Sequence, residues 1–442
     1  MDLRDLIVTP FVVFLIYGVA YLVRPWVCDA VNARYFFPAL TAKIVGAILL
    51  GLLYTFYYKG GDTFNFHTLG SRHIWEAFMD SPEKGLALIF SDGEHQGYFY
   101  DYSSKIYFFK DTASFFIVRL AAIFDLFTFS SYLATACFFA VIGFAGGWMM
   151  YLTFYRRYPH LHGWIAFAVL FVPSVVFWGS GLLKDTIMLA CLGAIAYTVD
   201  QLFILKRFSV VSVVLLVLSV YVVFVVRKFM LQAFVPAAVL WIYYSRLISI
   251  RSVALRFLFF PLVIAVIGVL GYYSFIKIGE GDQRYSIEML ATTAKTTAYD
   301  IAFYSGRGAG SFYSLGELDG TMTGMLRMAP EAINVSLFRP YLWEVNNPLM
   351  TLSALESFCF LASLVVIILA RRKNLLLALR NQDVVFLLVF TVIFAFAAGI
   401  SSYNFGTLSR YRISLMPFFA LALIIILNTR VKERPSSLRE LE

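Results

Sequence analysis

Apolar runs long enough to cross a bilayer recur along the chain, and no other feature constrains the fold as strongly. Crossing about 30 Å of hydrocarbon takes about 20 helical residues. Inside hydrocarbon, a helix satisfies every backbone N–H and C=O within its own segment. Such runs lie near 7–23, 39–58, 131–152, 164–182, 185–205, 209–226, 229–246, 257–276, 349–370, 384–400 and 411–428, about eleven spans in all. Of the 442 residues, 60% are hydrophobic and 14% charged, which leaves too few polar groups to cover a water-soluble surface. The predicted fold class is therefore all-α, a polytopic transmembrane helical bundle forming one integral domain over 1–442. The N-terminal sequence MDLRDLIVTP has no small-residue cleavage site and reads as a retained helix. Cys28, Cys137, Cys191 and Cys359 are scattered without CxxC spacing, so neither a disulfide framework nor a zinc site is indicated.

Orientation follows from the basic loops. Arg156-Arg157, Lys206-Arg207, Arg246/Arg251/Arg256, Arg371-Arg372-Lys373 with Arg380, and Arg430/Lys432/Arg434 fall on one side under this span count. That side is the cytoplasm by the positive-inside rule. The C-terminus is then inside and the N-terminus outside. The net charge of +9 reflects these loops rather than a nucleic-acid partner. Two long segments, 59–130 and 277–348, lie on the outer face. Within the first, HIWEAFM and GLALIF predict short amphipathic helices. Residues 111–129, DTASFFIVRLAAIFDLFTF, predict a helix in the interface plane, with Arg119 and Asp125 snorkelling to headgroups. The second segment contains a predicted helix over 286–304 and a glycine-rich turn region.

Residues 59–66, KGGDTFNF, open the first outer segment. Gly60 and Gly61 permit a sharp exit from the preceding helix, leaving Asp62 at a lipid–water boundary, where a carboxylate is costly to desolvate and hence a functional candidate. Its competing role is to cap the next helix. On the same face lie basic residues that oppose the orientation signal: Lys184, Arg227, Lys228, Arg410 and Arg412. A phosphate at the outer leaflet accounts for them, through bidentate arginine contacts and the lysine point charge. Snorkelling to ordinary headgroups, or pairing with carboxylates such as Asp185, is the alternative. In 178–185, WGSGLLKD, two glycines predict a helix break at membrane depth, tolerated where it is buried or lines a wet cavity. Arg339 and Glu344 flank Pro340 in LFRPYLWE, and Glu356 falls inside a span, where it needs a partner. His67, His73 and His95 do not form a metal-ligand pattern, and neither a P-loop nor GxGxxG is present.

KGGDTFNF, the SFFIVRLAAIF stretch, the VPSVVFWGSGLLKD segment, VVRKF at a span end and the late LSRYRISLMPF together resemble the GT-C superfamily of integral membrane glycosyltransferases. That resemblance implies sugar transfer from a polyprenyl-phosphate-linked donor to a glycan, lipid or protein acceptor at the outer face of a bacterial cytoplasmic membrane. It implies a catalytic role for Asp62 and donor-phosphate contacts for Arg227, Arg410 and Arg412, to which the charge pattern adds Lys184 and Lys228. Asp185, Arg339, Glu344 and His67 complete the candidate site on the substrate side. An extra span before the acidic loop and the lone Asp leave the subfamily, and any use of a divalent metal, open. The competing readings are an O-antigen-type polysaccharide polymerase or ligase, a lipid-linked glycan flippase or transporter, and a non-catalytic membrane scaffold.

Overall fold

The computed structural model describes residues 2–248, 273, 277, 286–303, 310–371 and 375–429. The run at 257–276 apart from Tyr273, the basic residues Arg251, Arg256, Arg372, Lys373, Arg430, Lys432 and Arg434, and residues 305–309 of the glycine-rich turn lie outside them. Among the described residues every regular element is helical, with one isolated bridge, Phe312–Asn404. Six helices among the described residues are long and apolar enough to cross a membrane: Leu3–Val27, Ala33–Tyr58, Tyr132–Arg157, Lys184–Ile204, Pro348–Arg371 and Gln382–Ser402. A seventh span arises if Phe405–Ser414 and Met416–Asn428, bent by 61°, are taken together. The chain is a multi-pass membrane protein. Val210–Val226 is apolar but shorter, and Lys228–Ile248 follows it after a break at Arg227.

The Tyr132–Arg157 helix sits at the centre, packed against Ala33–Leu52 on one side and Lys184–Val199 on the other. The second contact is backbone-close. A Cβ on Gly146 would lie 2.3 Å from Ala190, and one on Gly193 would lie 2.2 Å from the Gly146 carbonyl. Small residues at facing positions are how helices gain dispersion contact in lipid, where water expulsion contributes little.

The apolar run at 164–182 is not one helix. Val172 is extended (φ −60°, ψ 124°) because it precedes Pro173, which starts the short helix Pro173–Trp178. The chain then turns through residues 179–183 before Lys184 begins the next helix. This break is buried, as irregular backbone at such depth must be. Its orphan groups are satisfied by charged side chains from other spans. Lys43 Nζ donates to the carbonyls of Val175 (2.9 Å) and Gly179 (2.7 Å), at the C-terminal end of the short helix. Glu356 Oε2 accepts from the Ser174 amide (2.9 Å) at its N-terminal end. Each charge matches the helix dipole at its end.

At the far end of the Lys184–Ile204 span, Arg157 and Arg246 approach the same turn, through Asp200 and the Phe203 carbonyl. Arg157 pairs with both Asp200 and Asp383 (3.0 Å to the latter), and Asp383 also accepts from Tyr158 (2.8 Å) and Trp241 (2.8 Å). Two expected features are corrected. Asp125 does not snorkel; it is fully buried and accepts from Thr135 (2.6 Å), joining residues 111–129 to the next helix. Arg119 turns back onto the Ser91 carbonyl and the Phe115 ring. In both, a protein partner replaces the headgroup.

Substituting Lys43→Met keeps the length of the side chain but leaves two buried carbonyls without a donor. Thermal unfolding in detergent should show a loss of about 1–3 kcal/mol.

Candidate active site

Four breaks in helical structure bring the site together. At the first, the Ala33–Leu52 helix widens through Leu53–Tyr58 and ends on Lys59, Gly60 and Gly61 with φ of 53°, 145° and 112°. These left-handed conformations suit glycine. A Cβ on Gly61 would also meet the Tyr54 ring at 3.0 Å. Gly61 thus fixes the turn that starts the short helix Asp62–Phe66 with Asp62 at its first position.

The second break delivers Lys184 and Asp185 as the first residues of Lys184–Val199. At the third, Arg227 (φ −150°, ψ 80°) interrupts the helical path between Val210–Val226 and Lys228–Ile248. At the fourth, Tyr403 adopts φ 39° and Asn404 caps the helix Phe405–Tyr411 through the amides of Gly406 (2.7 Å) and Thr407 (3.1 Å). Arg410 lies in the last turn of that helix.

These side chains meet. Arg410 Nη1 lies 2.7 Å from Asp62 Oδ2, and its Nη2 lies 3.2 Å from Asp185 Oδ2. Arg227 Nη1 lies 2.6 Å from Asp185 Oδ1 as an ion pair without hydrogen-bond alignment. The Arg227 guanidinium also covers the Tyr411 ring at 4.7 Å. Lys184 Nζ lies 3.5 Å from Asp111 Oδ2. Asp62, Asp111, Lys184, Arg227, Arg410 and Tyr411 line one cavity of about 580 Å3. Its other wall combines the apolar side chains of Phe66, Phe108, Phe229 and Met325 with the Ile287–Ile301 helix, which presents Leu290, Thr293 and Thr297. Asp185 stands behind the two arginines, fully buried, while Asp62 is 42% exposed.

Asp111 is a site residue that the sequence reading missed. It caps Thr112–Thr128 through the Ser114 amide (3.1 Å), and the D-x-x-S pattern at 111–114 was the available signal. Burial alone would raise its carboxyl, but Ser114 and the Lys184 ammonium together hold it below the ordinary carboxylate range. Its contribution to stability is therefore complete above that range and is lost as pH falls below it.

Of the other predicted site residues, Lys228 does not line the cavity and places its ammonium 4.8 Å from the Phe224 ring. Arg412 is a correction: it turns away, fully buried, and donates to the Ser357 hydroxyl (2.7 Å) and the carbonyls of Arg339 (2.9 Å) and Ser353 (3.2 Å). Glu356 lies 3.6 Å from it. Arg339 and Glu344 pair with each other across the turn at Pro340 rather than facing the cavity. His67 is fully buried, 3.4 Å from Asp125. A second hollow of about 610 Å3, between Val210–Val226 and Lys228–Ile248, is apolar apart from Tyr221, Tyr273 and Lys277 and holds no comparable cluster.

Among the described residues, no group of three or more His, Cys, Asp or Glu gathers in a metal-holding arrangement. Three cations face one space, two of them guanidiniums, a group that binds phosphate or carboxylate oxygens in pairs, and Asp62 and Asp111 line the same space. The N-terminus of Lys184–Val199 opens beside them and adds a favourable dipole. Compared with known protein families, curated proteins and solved structures, the chain matches none.

Double-mutant cycles on thermal stability should rank the two contacts of Arg410. The Asp185–Arg410 coupling, fully buried on the carboxylate side, should reach about 2–3 kcal/mol. The Asp62–Arg410 coupling should stay below about 1 kcal/mol, because water screens the exposed carboxylate. The reverse ranking would mean that Asp62, not Asp185, anchors the arginine.

Proposed function

We propose that the chain is a membrane glycosyltransferase of GT-C type. It transfers a sugar from a polyprenyl-phosphate-linked donor to a glycan, lipid or protein acceptor on the outer face of a bacterial cytoplasmic membrane. One observation carries this reading: Asp62, Lys184, Arg227 and Arg410, distant in sequence, line a single cavity. The donor phosphate sits against Lys184, Arg227 and Arg410. Asp62 takes the proton from the acceptor hydroxyl as general base. The acceptor oxygen then bonds to the anomeric carbon while the bond from that carbon to the phosphate oxygen breaks. The lipid phosphate leaves with the electron pair, and the cations stabilise its charge in a partly desolvated site. A phosphate leaving group departs without a strong general acid. The displacement is a single inverting step, and a divalent metal, if used, would act on the same phosphate.

The fuller topology belongs to this reading: about eleven spans of roughly 20 residues, interfacial helices around the cavity, an outward-facing site and a cytoplasmic C-terminus. Clustering of Arg157 and Arg246 at the opposite end of the bundle supports it. A second reading has a specific observation in its favour. The Ile287–Ile301 helix of the second outer segment lines the cavity through Leu290, Thr293 and Thr297. A large late outer loop at the site also suits an O-antigen-type polymerase or ligase.

Transfer from a polyprenyl-phosphate sugar should fall by at least about 100-fold in Asp62→Asn and Asp62→Ala, the scale of a lost general base. Wild-type turnover in both folded variants would sink the assignment. The product separates the two readings: single-sugar addition or a ladder of repeat units. Orientation has its own check. In a cysteine-free background, Glu94→Cys should react with a membrane-impermeant maleimide in intact cells, and Phe208→Cys only after lysis.

A further inference from the structure

The ion-pair chain contains a contradiction for any phosphate ligand. Lys184, Arg227 and Arg410 face the cavity, yet each already has a carboxylate: Asp111, Asp185 and, for Arg410, both Asp185 and Asp62. Three cations meet three anions, so the formal charge of the cluster is zero. An arriving phosphate must displace one of these partners.

The three carboxylates are not equally displaceable. Asp185 is fully buried and lies outside the cavity lining, so it can neither leave nor meet the ligand. Asp111 also lines the cavity and is 49% exposed, but it is tied into a helix cap by Ser114 and holds Lys184 alone, at 3.5 Å, without touching either guanidinium. Asp62 lines the cavity, is 42% exposed, and contacts Arg410 through Oδ2 at 2.7 Å. It sits at the start of a five-residue helix behind Gly60 and Gly61, and rotation of its side chain between staggered rotamers is enough to take the carboxylate off Arg410.

We infer that Asp62 occupies the phosphate seat on Arg410 and is released only when the anionic group of a ligand takes its place. This rests on the phosphate reading above and adds an order to it. The anionic ligand binds first, and its arrival frees the Asp62 carboxylate to meet a hydroxyl. Asp62 thus sets the affinity for the anion as well as serving the reaction. Asp185, holding both guanidiniums from behind, keeps them aimed at the cavity during the exchange.

The test is direct binding to the full-length protein in nanodiscs, with farnesyl phosphate, farnesol and inorganic phosphate as probes. Asp62→Asn removes the competing charge and should bind farnesyl phosphate about five-fold more tightly than wild type, the equivalent of an exposed ion pair worth about 1 kcal/mol. Farnesol should show no gain. A matching gain for inorganic phosphate would support the seat and identify free phosphate as sufficient to fill it. Asp62→Ala serves the same purpose if the Asn variant folds poorly. Asp111→Asn removes a charge of the same sign from the same cavity and should gain less. Equal gains would indicate a general charge effect and overturn the proposal. So would phosphate binding by wild type with no gain in Asp62→Asn, a result that leaves the phosphate reading standing. Failure of every form to bind farnesyl phosphate would overturn both. In turnover the signature is a split: Asp62→Asn lowers the donor KM while lowering kcat.

Discussion

Asp185 is the interaction on which the site depends. A carboxylate with no solvent exposure inside an apolar bundle is tolerable only when paired, because desolvation costs several kcal/mol per ion. Its partners come from two distant elements, Arg227 at a helix junction and Arg410 in the Phe405–Tyr411 helix. Removing Asp185 would take away the carboxylate that Arg227 and Arg410 share and leave Arg410 with Asp62 alone. The pairing therefore docks three elements and determines where positive charge can appear in the cavity.

Around this anchor, helix interruptions do the positioning. Each side chain of the cluster sits at or beside the end of a helix: Asp62 after a left-handed turn, Lys184 and Asp185 after a buried break, Arg227 between two helices, Asp111 at a cap. Helix ends carry unpaired backbone groups and partial charge. Gathering several of them around one cavity concentrates polarity there.

Part of this was legible in the sequence. KGGDTFNF announced its turn through Gly60 and Gly61, and Lys184, Arg227 and Arg410, basic residues beside apolar runs, announced a polar site. Azimuth was not legible. Arg410 and Arg412 stand two residues apart, and such residues face different sides of a helical turn; one reaches the cavity and the other the Ser357 hydroxyl. Arg339 and Glu344 have each other, which proximity in sequence already allowed. Lys43 was invisible for the opposite reason. A single lysine within a long apolar run does not alter the run's reading, and its acceptors lie 132 and 136 residues away. The same holds at the far end, where Asp383 reaches Arg157 across 226 residues.

The short helix Pro173–Trp178 has a consequence for biogenesis. Its two ends are neutralised by Lys43, from an early span, and Glu356, from a late one. When the Ala33–Leu52 helix enters the membrane, neither carbonyl acceptor of Lys43 has been synthesised. When Pro173–Trp178 arrives, Glu356 is still 182 residues from the Ser174 amide it will accept from. Nascent spans must therefore carry unsatisfied polar groups in the membrane or at its edge until later segments join them. The order of insertion, as well as the finished packing, is written into where these two charges stand.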